Sequence, residues 1–156
     1  MAATELSSHY HVGIVVPDVA AARVELSEQL GVTWGPVMHL DGTDLRDGAG
    51  RAIVLPTTIC FSLESPHLEL IEEVPGSVWV CNPHSNLHHI GFWSDDLPAD
   101  SAHLAATGCA LQLCGRAGDA TPSQFAYHQG GLGVRVEVVD AALRDAMAFL
   151  FTPPAS

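Results

Sequence analysis

The first half of the chain alternates between strand-like and helix-like patterns of apolar residues. Residues 9–16 alternate and are rich in β-branched types, which predicts a strand. Residues 20–30 have helical spacing, with Asp18 at the N-cap position and Gly31 as the stop signal. Three further strands are predicted at residues 33–40, 51–64 and 67–73, with a turn-rich loop at 41–50. The first half therefore has the order β-α-β-β-β.

The second half repeats this order. A strand is predicted at 87–94, and a helix begins at Asp96 and ends at Gly108. Strands follow at 109–114, 123–128 and 134–139, with a loop at 115–122 and a C-terminal helix at about 141–150. We expect one domain, residues 1–156, divided into a first module (8–75), a linker (76–86), a second module (87–140) and a C-terminal helix and tail (141–156).

Two pairs of similar sequence segments support an internal duplication. YHVGIVVPD and HHIGFWSDD each place a histidine seven residues before an aspartate, His11 before Asp18 and His89 before Asp96. Late in each half, HLELIEE and VRVEVVD each carry an acid inside an apolar strand. Two copies of one βαβββ unit explain the ordered match of histidine, cap and acid.

Side-chain alternation predicts where the repeated polar residues point. One face of each of the four strands is apolar, and the other face carries one histidine or one carboxylate near its middle. The residues on that second face are His11, Glu69, His89 and Glu137. If the four strands surround one concavity, two imidazoles and two carboxylates suit a divalent cation such as Zn, Ni, Co, Mn or Fe(II).

Four other residues are candidates for contacting a substrate. His67 shares a face with Glu69, and Trp93 shares a face with His89. His128 ends a predicted strand, and Arg135 could meet an anionic group. His88 points to the opposite face from His89 and is expected to pack or to form hydrogen bonds.

Composition excludes several classes of function. The formal net charge is −12, with six arginines and no lysine, which argues against binding nucleic acid or an anionic membrane surface. The lack of lysine excludes a lysine Schiff base. No apolar run is long enough to span a membrane, and no signal peptide is recognisable, so we expect a cytoplasmic protein with its four cysteines as free thiols.

The phrases YHVGIVVPD, HLELIEE, LHHIGFWSDD and GVRVEVVD resemble the four metal-bearing strands of the vicinal oxygen chelate superfamily. That group includes glyoxalase I, methylmalonyl-CoA epimerase, extradiol dioxygenases, metal-dependent fosfomycin-resistance transferases and metal-free bleomycin-binding proteins. The resemblance covers about residues 9–140 and is closest to the epimerase and glyoxalase branch. It implies an α+β fold in which paired βαβββ modules form a cupped mixed sheet around a metal held by His11, Glu69, His89 and Glu137.

The resemblance also implies a reaction. Its branch moves a proton next to a carbonyl while a divalent metal stabilises an enolate or enediolate, so the expected protein is an isomerase, epimerase or lyase. Glu137 is the expected base, and Glu69 is the other candidate. The alternatives are a non-haem Fe(II) dioxygenase and a non-catalytic binding or resistance protein for a small hydrophobic ligand. We expect a small carbonyl-containing substrate and a homodimer, and the scarcity of cations argues against a CoA thioester.

Overall fold

The computed structural model describes residue 5, residues 8–118 and residues 120–155. The first module forms β1 (His9–Val16), α1 (Val19–Leu30), β2 (Met38–Asp47), β3 (Ala52–Phe61) and β4 (His67–Glu72). The second forms β5 (Leu87–Ser94), α2 (Leu97–Ala106), β6 (Ala110–Ala117), β7 (Ala120–Gln129) and β8 (Arg135–Asp140). A C-terminal segment follows, with 3₁₀ turns at Ala141–Leu143 and Ala148–Phe151 on either side of the short helix α3 (Arg144–Met147).

Both long helices begin where the sequence predicts. The Asp18 carboxylate accepts a hydrogen bond from the Ala21 amide at 2.8 Å, and the Asp96 carboxylate accepts one from the Ala99 amide at 3.1 Å. Helix α1 ends at Gly31, whose φ of +69° lies in the left-handed region that glycine tolerates best. These caps satisfy backbone groups that have no partner within the helix.

Three boundaries differ from the sequence predictions. Strand β2 continues through residues 41–47, which were expected to form a loop, and β6 and β7 extend into the expected loop at 115–122. The polar residues of β2 pair with β3 on one side and with β6 on the other, so sheet pairing outweighs their low strand propensity. The predicted C-terminal helix is one short helix between two 3₁₀ turns. Among the described residues, no helix is long and apolar enough to cross a membrane.

The eight strands form one closed ring in the order β1-β4-β3-β2-β6-β7-β8-β5. Within each module the first and last strands are parallel neighbours, β1 with β4 and β5 with β8. The modules join through two antiparallel seams, β1 with β5 and the shorter β2 with β6. The α+β architecture of paired βαβββ modules is therefore confirmed, and the second seam closes the expected cupped sheet into a barrel.

Apolar residues fill both sides of the strands. Val16, Cys60 and Leu70 pack outside the barrel with residues of α1, and Cys114, Ala126 and Val138 pack with Leu97 of α2. A larger inner cluster includes Val15, Leu45, Phe61, Ile71, Trp79, Leu113, Tyr127 and Leu150. The alternation predicted for the strands is thus the division between the helix-covered exterior and the barrel interior.

Two glycines allow the β1–β5 seam to carry its histidines. His11 pairs with Gly91, and Gly13 pairs with His89. A methyl group at Gly91 would lie 1.9 Å from Cε1 of His11, and one at Gly13 would lie 2.0 Å from Cε1 of His89. Each imidazole therefore occupies the space that a side chain on the facing strand would need.

We expect alanine at Gly13 or Gly91 to destabilise the protein by about 1–3 kcal/mol, because each added methyl group overlaps a buried imidazole. Urea unfolding of both variants measures the free energy change. Gly131→Ala is the matched control, because a methyl group there meets nothing within 4 Å. Unfolding midpoints equal to that of the parent for both seam variants would contradict this account of the seam.

Candidate metal centre

The structure brings the four predicted ligands together from the centres of four neighbouring strands. Glu69 on β4 is in register with Gly13, which pairs with His89 across the seam. Likewise, Glu137 on β8 is in register with Gly91, which pairs with His11. In both rows a glycine separates a glutamate from a histidine, so no intervening side chain blocks their approach.

The four side chains meet at close range. His11 Nε2 and His89 Nε2 are 2.7 Å apart. Glu137 Oε2 lies 2.9 Å from His11 Nε2 and 3.2 Å from His89 Nε2. Glu69 Oε2 lies 3.3 Å and 3.1 Å from the same two nitrogens. All four ligand atoms lie within 4.8 Å of one another, and all four residues are buried.

Burial and opposite charge act against each other in this cluster. Burial alone lowers the pKa of His11, but its hydrogen bonds to Glu137 and Glu69 and their negative charges outweigh burial and raise the pKa to about 9. The pKa of His89 is also raised, because the Glu137 charge and hydrogen bonds outweigh burial. Burial alone raises the pKa of both carboxyl groups, but the histidines lower both below the ordinary value. Without a cation, the histidines and the carboxylates therefore stabilise each other's charged forms.

The donor set fits a divalent cation. If two ligand atoms each lie about 2.1 Å from a cation, they are about 3.0 Å from each other when the angle at the cation is 90°. In tetrahedral coordination the same two atoms are about 3.4 Å apart. The five separations above, between 2.7 and 3.3 Å, fall close to these values. Glu69 Oε2 is buried, and in the part of the chain that the structure describes no donor is aligned with it, although both imidazole nitrogens lie within 3.3 Å. Two imidazoles and two carboxylates could therefore hold a borderline divalent ion without moving far.

His88 orients one of the two imidazoles. Its Nε2 lies 2.8 Å from the Val78 carbonyl oxygen, and its Nδ1 lies 2.9 Å from Nδ1 of His89. Burial, followed by the charges of His89 and Arg135, lowers the pKa of His88 to about 4, so this ring is neutral near pH 7. A carbonyl only accepts, so His88 Nε2 carries the proton and its Nδ1 accepts from His89. Nε2 of a neutral His89 is then the ring nitrogen with a free lone pair.

The two carboxylates, but not the two imidazoles, border an apolar cavity. This cavity has a volume of about 320 Å³, and its lining includes Glu69, Glu137 and mostly apolar side chains. His11 and His89 are 0 % and 3 % exposed and lie behind the carboxylates. A ligand in the cavity would therefore meet the carboxylates first.

The four residues expected to contact substrate do not line this cavity. His67 is on the predicted face of β4, but its ring packs 4.3 Å from that of Phe151, and its Nδ1 bonds the Ser62 carbonyl oxygen. Trp93 stacks on Tyr10 with ring centroids 3.9 Å apart. His67 shares a strand face with Glu69 but lies about 7 Å from it along β4, and Trp93 shares a face with His89 but lies about 13 Å from it along β5.

The structure places the other two residues, His128 and Arg135, away from this cavity as well. His128 points out of the barrel toward α2, where it bonds the Ser101 hydroxyl at 2.8 Å and the Cys109 carbonyl oxygen at 2.8 Å. It sits next to Tyr127, and neighbouring strand residues face opposite sides, so His128 lies on the face opposite the cavity. Arg135 is half-buried and donates to Gln112 and to the His88 carbonyl oxygen instead of facing the cavity.

Aromatic residues that the sequence reasoning did not select line the cavity instead. Tyr10, Trp79 and Tyr127 border it, and Trp79 Nε1 donates to the Tyr127 hydroxyl oxygen at 3.3 Å. Alternation along the predicted strand could have found Tyr127, which is in register with Glu137. Trp79 lies in the predicted linker, where no periodicity indicates which way a side chain points.

The free energy of unfolding of the metal-free protein should fall as pH rises from about 6.5 to 9. The pKa of His11 is raised to about 9 in the folded state, so protonated His11 stabilises the fold. This stabilisation is complete at pH values below the pKa of His11 in the unfolded chain. It is lost as the pH rises above the pKa of His11 in the folded protein. The loss is on the order of 3 kcal/mol. Urea unfolding with a chelator present measures it.

His11→Gln should flatten this pH profile, whereas His84→Gln, at an exposed position outside the cluster, should keep it. A parent profile that is flat or rises over the same range would refute the charge arrangement described above.

Comparisons with known proteins concern the family and the fold. The family model described as Glyoxalase/Bleomycin resistance protein/Dioxygenase superfamily matches residues 10–127. A search of curated proteins found no significant match.

Solved structures share the fold at low identity. A methylmalonyl-CoA epimerase in complex with methylmalonyl-CoA and NH4+ has a TM-score of 0.61 and 19 % identity, covering 86 % of this chain and 94 % of that chain. Methylmalonyl-CoA epimerase from Mycobacterium tuberculosis has a TM-score of 0.60 and 21 % identity, covering 94 % and 96 %. A Streptomyces coelicolor methylmalonyl-CoA epimerase variant in complex with 2-nitronate-propionyl-CoA has a TM-score of 0.61 and 19 % identity, covering 86 % and 94 %.

The family match spans most of the chain, and the duplicated barrel agrees with it. The chain therefore belongs to the Glyoxalase/Bleomycin resistance protein/Dioxygenase superfamily, within the vicinal oxygen chelate group.

Proposed function

We propose that this protein is a metal-dependent isomerase, epimerase or lyase of the glyoxalase type that moves a proton next to a carbonyl group. One observation carries the proposal: a buried cluster of two histidines and two glutamates turns only its carboxylates toward an apolar cavity. His11, His89, Glu69 and Glu137 would hold the cation, whose charge would stabilise negative charge on a substrate oxygen.

The carboxylates are the groups suited to the proton transfer. Glu69 and Glu137 border the cavity, so either can approach a carbon that carries an acidic hydrogen. The lowered pKa of both carboxyl groups keeps them ionised, which is the form that a base requires, although a lower pKa also makes each carboxylate a weaker base. We assign the base to Glu137, with Glu69 as the other candidate.

The surroundings of the carboxylates favour this chemistry. The cavity lining is largely apolar, which weakens competition from water and strengthens electrostatic effects. The histidines are almost fully buried, so they would hold the cation while the carboxylates meet the substrate.

Oxygen chemistry has weaker support. Non-haem Fe(II) oxygenases use two histidines and one carboxylate, which leaves three positions on the metal for substrate and oxygen. Here a second carboxylate reaches the same point, because Glu69 and Glu137 both lie within 3.3 Å of both imidazoles. An isomerase, epimerase or lyase needs fewer open positions than an oxygenase.

Hydrogen exchange tests this function. The protein loaded with Mn, Co, Ni or Zn should catalyse exchange of the α-hydrogens of 2-hydroxyacetophenone in D2O, followed by proton NMR. Glu137→Gln should slow exchange by about 10²–10⁴-fold, because the amide cannot accept the proton. Glu69→Gln, run in parallel, decides between the two candidate bases.

Metal analysis accompanies each exchange measurement, so that loss of a ligand is separated from loss of the base. The parent should hold about one ion per chain, as expected for one site. His84→Ala, at an exposed position, is the control. Binding of the compound without exchange at any metal would favour a non-catalytic binding protein, and failure to hold any divalent ion would reject the function.

His88 should affect the metal rather than the base. His88→Phe removes the acceptor that holds the proton on Nδ1 of His89, so we expect metal affinity to fall by about 10–100-fold. His88→Asn should restore part of the loss, because its amide oxygen can accept near the position of Nδ1. Calorimetric titration with Zn measures both variants, and equal affinities for His88→Phe and the parent would remove His88 from this role.

A further inference from the structure

We propose that the substrate is a small, uncharged carbonyl compound with a mostly apolar body, and not an acyl-CoA. This inference rests on the proposed function, because it concerns what lies beside the same two carboxylates. The observations that carry it are the lining of the cavity, the positions of the arginines and the C-terminal segment that forms one wall.

The cavity has few polar groups left to recognise a polar substrate. The hydroxyls of Thr43 and Thr57 bond each other at 2.9 Å, and the Trp79 indole donates to Tyr127. Most of the remaining lining is aliphatic or aromatic, including Met38, Leu40, Ile59, Phe61, Phe125 and Val139. A volume of about 320 Å³ is at the small end of ligand sites. The cavity thus suits an apolar body whose polar end reaches the carboxylates.

No cationic side chain lines the cavity among the described residues. The chain contains no lysine, and three of its six arginines are engaged elsewhere. Arg51 pairs with Asp47, Arg135 bonds Gln112, and Arg144 lies 5.0 Å above the Trp93 ring. A substrate with several phosphates would find little to balance its charge.

The C-terminal segment supplies the wall that faces the sheet. Leu143, Met147 and Leu150 line the cavity, and Leu150 is 1 % exposed. Phe151 packs the end of the segment against the barrel, because its ring centroid lies 5.0 Å from that of Phe61 and 4.3 Å from that of His67. The wall is therefore packed against the barrel, and the apolar surface continues beyond the carboxylates.

The cavity lining includes exposed apolar side chains. Leu40 is 40 % exposed and Phe149 is 54 % exposed, and both line the cavity. The nucleotide part of CoA carries several phosphate charges, and a protein with a net charge of −12 would repel it.

Two hydroxamates of different chain length test whether the cavity binds the apolar part of a ligand. On the metal-loaded protein, calorimetry should show octanohydroxamate binding at least about tenfold tighter than acetohydroxamate, because each buried methylene adds to affinity. Both probes carry the same chelating group, so their affinity ratio reports the cavity alone. Equal affinities would overturn the proposal.

Two variants locate the effect. Met147→Asp places a charge in the wall and should reduce the affinity ratio by at least about tenfold, because charged groups are costly beside apolar surface. Ala148→Asp adds the same charge one residue away, at an exposed position outside the lining, and should leave the ratio unchanged. Thermal unfolding checks that both variants fold. A ratio that Met147→Asp leaves unchanged would contradict binding at this wall.

A second pair tests CoA directly. Propionyl-CoA and the propionyl thioester of N-acetylcysteamine share their acyl and thioester groups and differ in the nucleotide part. We expect propionyl-CoA to bind no tighter than the truncated thioester. A preference for CoA of tenfold or more that weakens with added salt would overturn the proposal in favour of an acyl-CoA substrate.

Failure of the inference and failure of the proposed function give different results. If the protein holds a cation and acetohydroxamate binds, but octanohydroxamate gains nothing, only the substrate class is wrong. If no cation binds, the proposed function fails, and 2-naphthol titrated against the metal-free protein by fluorescence still tests the cavity. Saturable binding that Met147→Asp weakens and Ala148→Asp does not would then support an apolar ligand, and no binding would reject it.

Discussion

The interior of the barrel is organised by the need to balance four buried ionisable groups at one point. Each of the two carboxylates lies within 3.3 Å of both imidazoles across the β1–β5 seam, with little exposure to water. A buried charge without a partner costs several kcal/mol, so each group needs the others or a cation. Gly13 and Gly91 make this possible, because any side chain there would displace an imidazole.

The duplicated modules give the cluster its symmetry, but its members are not equivalent. Each module contributes one histidine and one glutamate at matching positions, yet only the glutamates border the cavity. His89 is oriented by His88, whereas the buried Nδ1 of His11 has no hydrogen-bond partner among the described residues. The duplication thus supplies the ligands, and local contacts outside the repeat pattern give each ligand a different environment.

Strands of both modules and the parts of the chain that do not repeat line the cavity together. Trp79 comes from the segment between the modules, and Leu143, Met147 and Leu150 come from the C-terminal segment. These residues cover a barrel interior that would otherwise be more open to solvent. In the proposed function, the repeated strands would supply the two carboxylates and most of the apolar lining, and the unique segments would complete the lining.

The sequence alone determined the two modules, the caps at Asp18 and Asp96, and the four clustered side chains. These features depend on local periodicity, and the repeat supplies the signal twice. Only the tertiary structure decided that β2 continues through a polar stretch, that His67 lies under Phe151, and that His128 faces α2. Strand pairing and the path of the C-terminal segment bring together residues that are distant in sequence, so local sequence patterns do not encode these contacts. Alternation along a strand identifies the face on which a side chain lies, but not which residues cover that face.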